Sequence, residues 1–402
     1  LSLTSGSFTF GKQDVDLIRK KMGTISADTY VTGQATIDVR NLRPVNDSEA
    51  GINTRVHFID PQISSQVINH VSTTYSPIYR YSVGYDPSVG DFSFYRPLNP
   101  GGADYNPEVT VPGTANILLA ALLNDEIYTR VLSDIDTYKS VKTGEKSDGW
   151  VKTFGSRDNV DFKGGYNRIN ASFSGVIGGI SSGRIEGKDN WSRIFNLYGA
   201  YAHGEQDIHH GTIRQDIGYI GASAFSYRGN FFAGITGNLG FAHNKTSESL
   251  GKDTFNSYLA GFGIKTGYDL PVGNNMTLQP NLYGSWTYIK SDDYISKSDV
   301  RVQFGKMHVF EIAPGLKLTK EFDNKLKGSI QGRYVWTNTS SQNVVLDNSS
   351  IMPDIGIRPY AEYGIGLEKN TPDDKYSGYF HILRRDGGRS GWNVIFGGKM
   401  TF

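Results

Sequence analysis

Two groupings in this chain have residue types and spacings that could do chemistry. Gly179-Ile180-Ser181-Ser182-Gly183 matches the G-x-S-x-G pattern of a serine nucleophile. That pattern works only where a strand turns sharply into a helix and lifts the hydroxyl clear of the sheet. The flanking residues alternate as a strand does and no helical period follows, so a strand end is expected here and no nucleophile elbow. His203, His209 and His210 crowd one segment. They could offer imidazoles to zinc, but a second acidic or cysteine cluster is missing. Solvated loop histidines are the expectation. The sequence predicts no catalytic residue, no metal site and no cofactor.

What remains is charge at alternate positions, which calls for strands that place it. In 324–337, Lys327, Ser329, Gln331 and Arg333 share one face, and Leu326, Ile330, Tyr334 and Trp336 the other. In 355–368, Arg358, Tyr360, Glu362 and Glu368 oppose Ile355, Ile357, Ala361, Tyr363, Ile365 and Leu367. In 230–243, Phe231, Ala233, Ile235, Leu239 and Phe241 oppose a small, polar face. A period of two divides residues between the two faces of a strand.

Composition agrees: 48 Gly, 24 Tyr and 12% aromatics among 402 residues favour strands and tight turns. A charge content of 20% reads at first as soluble, yet a membrane barrel needs only every second strand residue to be apolar. No apolar run reaches the ~20 residues of a membrane helix, so any crossing is by a barrel. The net charge of +1 gives no case for nucleic acid. Cysteine is absent, so no disulfide can stiffen the chain.

Twelve strands are predicted, at 149–159, 169–183, 190–203, 213–226, 230–243, 254–268, 276–289, 302–316, 324–337, 355–368, 374–384 and 390–402. The count is even, as single-chain bacterial barrels require. Tyr219, Phe225 and Tyr227, Trp286 and Tyr288, and Tyr334 and Trp336 are read as lipid-facing girdle residues near strand ends. Short turns at 227–230, 269–275 and 370–375 alternate with longer polar loops at 244–253, 290–301 and 338–353. That rhythm puts both barrel ends at the periplasmic rim. The last strand carries Trp392, Val394, Phe396, Gly398, Met400 and Phe402 on one face. It resembles the terminal signal read by the outer-membrane barrel-assembly machinery, with Met400 and Ile395 departing from the usual pattern.

Residues 1–112 differ. Thr29 to Leu42 and Asn53 to Asp60 read as short strands, suited to rungs of a parallel β-helix, and 13–29 as a short helical insertion. Tyr79-Arg80-Tyr81-Ser82-Val83 and Phe92-Ser93-Phe94 form an aromatic hairpin across a turn with Pro87 and Gly90. A Pro/Gly stretch to Pro112 follows as linker. Thr114 to Tyr138 then repeats Ile117, Leu118, Ala121, Leu122, Leu132 and Ile135 at helical spacing. At ~1.5 Å per residue such a helix spans ~37 Å, enough to run through a barrel lumen. The parts are therefore 1–112, 113–148 and 149–402. The first residues, Leu-Ser-Leu-Thr, lack Met and a signal peptide, so an export signal is expected upstream.

This order of parts resembles the monomeric autotransporters of type V secretion. Tyr79, Tyr81 and Val83 match the family's Tyr-x-Tyr-x-Leu cap pattern with Val for Leu, and Phe92 and Phe94 stand for its Trp-x-Leu. Trp150 to Arg157 looks like its first-strand W-x-x-x-x-G, and Arg358-Pro359-Tyr360 like its RPY motif. The resemblance implies an all-β, twelve-stranded antiparallel transmembrane barrel with the linker helix in its lumen, preceded by a β-helix-like passenger fragment. It implies an outer-membrane anchor, embedded in lipid, that exports its own passenger in cis to the cell surface. The passenger is expected to be adhesin-like, with host surface ligands. Arg228, Glu311, Arg333, Arg358, Glu362 and Lys399 would then line the pore and pair with linker residues Asn124, Asp125 and Arg130. Some members cut their linker through an Asn inside the pore; their double-Asn motif is absent at Asn124-Asp125, so an intact linker is expected. The alternatives are an outer-membrane barrel enzyme of protease or lipase type, and a plugged porin.

Overall fold

The alternating segments pair into one closed antiparallel sheet in the computed structural model. It describes residues 111–138 and 147–402 except 164–167, 188–189, 209–210, 249, 341–343, 347–348 and 352–355; before residue 96 it describes 2–9, 13–24, 32–38, 42–45, 53–59, 67–68, 72–75 and 79–95. The barrel strands are β1 (Asp148–Val160), β2 (Ile169–Ser181), β3 (Ser192–Ile208) and β4 (Gly211–Arg228). Next come β5 (Phe231–Glu248), β6 (Gly251–Tyr268), β7 (Met276–Ser291) and β8 (Met307–Phe322). β9 (Leu326–Ser340), β10 (Tyr360–Asn370), β11 (Tyr376–Gly387) and β12 (Arg389–Thr401) complete the wall. Each strand pairs with its neighbours in sequence, and β12 closes on β1 from Asp148↔Thr401 to Val160↔Arg389. Closure leaves no edge unpaired, which the hydrocarbon core demands.

Several bounds move outward from those expected. Most of the polar segment 244–253 is ladder rather than loop: β5 and β6 stay paired to Glu248↔Gly251. Polar side chains do not end a strand whose backbone bonds continue beyond the apolar band. The expected strand at 302–316 divides, with Arg301–Phe304 joining Tyr294–Ile295, Val344–Leu346 and Ser349–Ile351 in a small sheet made by two loops. Its packing is aromatic: Phe255 lies 5.4 Å from Tyr294 and 4.9 Å from Phe304. Ile357, expected on the lipid face, is buried ahead of β10 and bridges to Phe162; Ile355 lies outside the described residues.

Inside the barrel runs one helix, α1, of 27 residues. It is α-helical over Val111–Leu122, passes through a π turn at Leu123–Tyr128, and is α-helical again over Thr129–Thr137. Pro112 occupies the first turn, where a missing N–H costs nothing. Every residue from Val111 to Tyr128 is buried, which fits a helix enclosed on all sides.

In the N-terminal part, Ser2–Thr9, Thr32–Asp38 and Val67–Ile68 pair in parallel, as do Gln13–Asp16 and Leu42–Val45. The stretch read as helical from residue 13 is strand and then a turn: Asp16 and Lys21 exchange backbone hydrogen bonds of 2.9 and 3.0 Å. Arg80–Asp86 and Asp91–Tyr95 form a hairpin within a four-stranded sheet with Asn53–His57 and Ser72–Tyr75. Tyr79, Tyr81, Phe92 and Phe94 are buried there, with Phe92 4.9 Å from Phe58 and Tyr81 6.4 Å from Phe94. The turn needs glycine at 90: φ is +73° and a Cβ would lie 1.8 Å from the Ile59 carbonyl oxygen. The linker at 97–110 lies outside the described residues.

Candidate functional site in the barrel lumen

α1 meets two chemically different walls. Its apolar side packs on β4 to β7. There Tyr219, Phe225 and Tyr227 point inward and are buried, contrary to the girdle expected of them, while Ile220 on the opposite phase is 68% exposed. The residue types suggested headgroups, but a lumen filled by an apolar helix is itself a core, and the rings bury more surface there. Tyr227 donates its hydroxyl to the Ile135 carbonyl at 2.8 Å, and Phe225 lies 5.9 Å from Tyr138. Tyr128 donates to Asn238 Oδ1 at 3.1 Å. Its ring lies on Gly263, where a Cβ would be 3.1 Å from Tyr128 Cβ.

The far wall reaches α1 with charge. Asp125 accepts Arg333 Nη2 at 2.8 Å and the Tyr360 hydroxyl at 2.6 Å, and pairs closely with Arg389. Glu126 accepts Arg385 Nη2 at 2.6 Å and Arg130 Nη2 at 3.2 Å, and bonds Asn393. Arg385 also donates to Asp158 at 2.7 Å and Glu362 at 2.8 Å. Arg333 donates to Glu362 at 2.9 Å and stands 3.8 Å from Glu311. Arg385 and Arg389 are 0% and 1% exposed. Such charges persist only when each is paired and hydrogen-bonded.

The helix is tied at both ends too. Near the loop-bearing rim, Asn116 Oδ1 accepts Ser291 Oγ at 2.8 Å and Ser257 Oγ at 3.3 Å. At mid-helix, Asn124 Oδ1 accepts Thr287 Oγ1 at 2.8 Å, and its carbonyl accepts Tyr283 at 3.1 Å. Near the terminal rim, Asp134 meets Lys152 Nζ at 2.5 Å and Asp136 meets Lys317 Nζ at 2.9 Å. Tyr138 bonds Ser181, so the serine of the G-x-S-x-G pattern clamps the helix end. A cavity of about 100 Å³ remains on the charged side, lined by Arg130, Lys152, Lys317, Glu368 and His381 among others.

The residues expected in the pore divide. Arg333 meets Asp125 and stands between Glu311 and Glu362, whereas Arg130 pairs with Glu126 of its own helix, and Lys399 stands 3.3 Å from Asp148. Arg228 does not join them: β4 turns its odd residues inward, and Arg228 is exposed at a turn, 5.9 Å from the Trp191 ring. Arg358 precedes β10, is exposed, and donates to the Phe162 carbonyl at 3.1 Å. Trp392, Phe396, Met400 and Phe402 are exposed on the outer face. Asn116 is a second Asn of the helix, beside Asn124. Arg385 and Arg389 were missed because the expected strands ended at 384 and resumed at 390; continuing the alternation by one residue brings Arg385 inward. His203 meets Asp216 at 2.8 Å, while His209 and His210 lie outside the described residues.

A closed twelve-stranded wall around a single helix invites comparison with known barrels. The family model described as the autotransporter beta-domain matches residues 149–380, more than half of the chain. The chain belongs to the autotransporter family. Its barrel is an outer-membrane translocator, and translocator domains of this family are not themselves catalytic. The chain is 26% identical over 260 residues to the YaiT protein of Escherichia coli K12, covering 61% of this chain and 26% of that protein. It is 28% identical over 316 residues to YaiT of Salmonella typhimurium LT2, covering 74% and 31%. It thus spans between a quarter and a third of the curated relatives it matches. Among solved structures, the autotransporter resembles the transport unit of AIDA-I from Escherichia coli at TM-score 0.57 and 15% identity, covering 74% of this chain and 100% of that one. It also resembles the NalP translocator domain of Neisseria meningitidis at 0.55 and 14%, covering 70% and 98%. The Bordetella BrkA β domain follows at 0.51 and 13%, covering 64% and 100%. These likenesses are of fold.

Proposed function

We propose that this chain is the anchoring and exporting end of a longer autotransporter, divided into passenger end (1–112), linker (113–148) and translocator (149–402). The passenger leaves through the lumen as an extended hairpin and folds outside, and α1 then remains as the plug. The observation that carries this reading is the grip on mid-helix: Asp125 and Glu126 are held by Arg333, Arg385 and Arg389 from three strands of the wall. A helix so held also orients the chain, with Val111 toward the loops and Tyr138 beside the barrel termini. Glu311, Arg333, Glu362 and Lys399 act here as lumen contacts of the linker. The test is protease added to intact cells expressing the full-length protein. Cleavage before residue 111 with a protected barrel supports export; protection of both parts refutes it.

Parallel strand pairing at 2–9, 32–38 and 67–68 supports a β-helical passenger, and an adhesin-like role toward host surface ligands goes with that shape. Tyr79, Tyr81, Phe92 and Phe94 form its cap. The outward terminal residues Trp392, Phe396, Met400 and Phe402 support recognition by the barrel-assembly machinery.

A further inference from the structure

We propose that the outer wall carries a binding site for the phosphorylated headgroup of an outer-leaflet glycolipid, built by Arg157, Arg384 and Arg168 around Trp392. The register places Arg157 directly across from Trp392, and Trp392 across from Arg384. Ser172 continues this row on β2 and Tyr363 on β10. All five project from the lipid-facing side, since Asp158 and Arg385 beside them turn into the lumen. Arg384 lies over the Trp392 ring at 5.1 Å. A groove of about 590 Å³ opens there, bordered also by Arg168, Asn159, Asn170 and Ser390.

The charges of this groove are incompletely matched. Arg384 meets Asp386 at 3.0 Å, and Asp386 also accepts the Tyr363 hydroxyl at 2.5 Å. Arg168 meets Asp161 at 3.3 Å. Arg157 has no ion pair or hydrogen-bonding partner for its side chain among the described residues. Elsewhere on the same rim, Arg214 is matched by Glu205 at 3.0 Å. A free guanidinium beside a second, stacked one suits a phosphate, whose oxygens accept the planar fork in pairs.

Height selects the lipid. Below Trp392 the outward residues of β12 are Val394, Phe396, Gly398 and Met400, and Val151, Val176, Ile180 and Phe380 flank them on neighbouring strands. The ten steps from Trp392 to Phe402, tilted as barrel strands are, cover roughly 25 Å, the height of the apolar band. The arginine row therefore stands at the band's far edge from the chain terminus. Under the orientation proposed above, on which this inference rests, that edge meets the outer leaflet and its phosphorylated glycolipid. Trp392 at this level is placed as interfacial Trp residues are.

Native mass spectrometry of the purified full chain tests the site, offering bisphosphorylated lipid A, the same lipid stripped of phosphate, and phosphatidylglycerol. Wild type should retain lipid A about tenfold better than either competitor, and Arg157→Gln with Arg384→Gln should lose that preference. Arg157→Lys, which keeps charge but not the fork, should lose part of it, and Arg214→Gln none. Equal retention of the dephosphorylated lipid or of phosphatidylglycerol overturns the proposal, as does an unchanged preference in the double variant. Heat-modifiability of each sample reports barrel closure, and protease access on cells reports orientation, so failure of the export reading is seen separately.

Discussion

Arg385 touches three carboxylates at once, Glu126, Asp158 and Glu362, with no exposed surface of its own. Around it Asp125, Glu126, Asp158, Glu311 and Glu362 face Arg130, Arg333, Arg385 and Arg389. Removing a member leaves buried charge unpaired, which costs about 3–5 kcal/mol, more than the pair contributes relative to an apolar core. Arg385→Met should therefore lower the temperature at which the folded barrel converts to its unfolded gel form. An unchanged midpoint would mean that water already screens the network. Arg385→Lys should fall between, since a point charge cannot serve three acceptors in one plane. Asn124 is held at both its side-chain and main-chain oxygens, and its linker is expected to stay intact. Intact mass measured on boiled membranes checks this, and a fragment beginning at Asp125 would contradict it.

At the scale of the element, α1 is the part that sequence periodicity located best and described least. Its apolar spacing marked a helix, but the π turn at Leu123–Tyr128 left no mark in that spacing. There the Thr129 N–H reaches back to the Asn124 carbonyl, one residue further than in an α-helix. Such bulges concentrate at functional positions, and this one carries Asn124, Asp125 and Glu126. Deleting Leu123 should restore α geometry and leave everything below close to its present phase, because the π turn holds one residue more than an α turn. Asp134 would then keep Lys152 and Asp136 would keep Lys317, so conductance in planar bilayers should stay as low as in wild type. A conductance well above wild type would show that the helix below had lost its phase. On the wall side, Gly263→Leu places a side chain where Tyr128 lies, an overpacking worth about 1–3 kcal/mol, readable as a lower urea midpoint for the folded gel form.

For the whole molecule, the barrel is closed by strands and filled by a helix, and the two tasks separate. Deleting 111–138 should leave a heat-modifiable barrel that conducts, whereas removing Phe402 should lower the fraction inserted without changing the conductance of what remains. Twelve strands and most of their phases were legible in the sequence, because pleating forces one residue in two toward lipid and lipid tolerates little but apolar groups. The contents of the other face were not. Tyr219, Phe225 and Tyr227 look like girdle residues until the helix behind them is known, and Arg385 and Arg389 fell between two expected strands. Alternation by itself therefore determined the sheet and most of its lipid face, since solvent acts on each strand separately. Only the tertiary structure decided which charges meet in the lumen, because Asp125, Asp158, Arg333, Arg385 and Arg389 become neighbours only when the barrel has closed around α1.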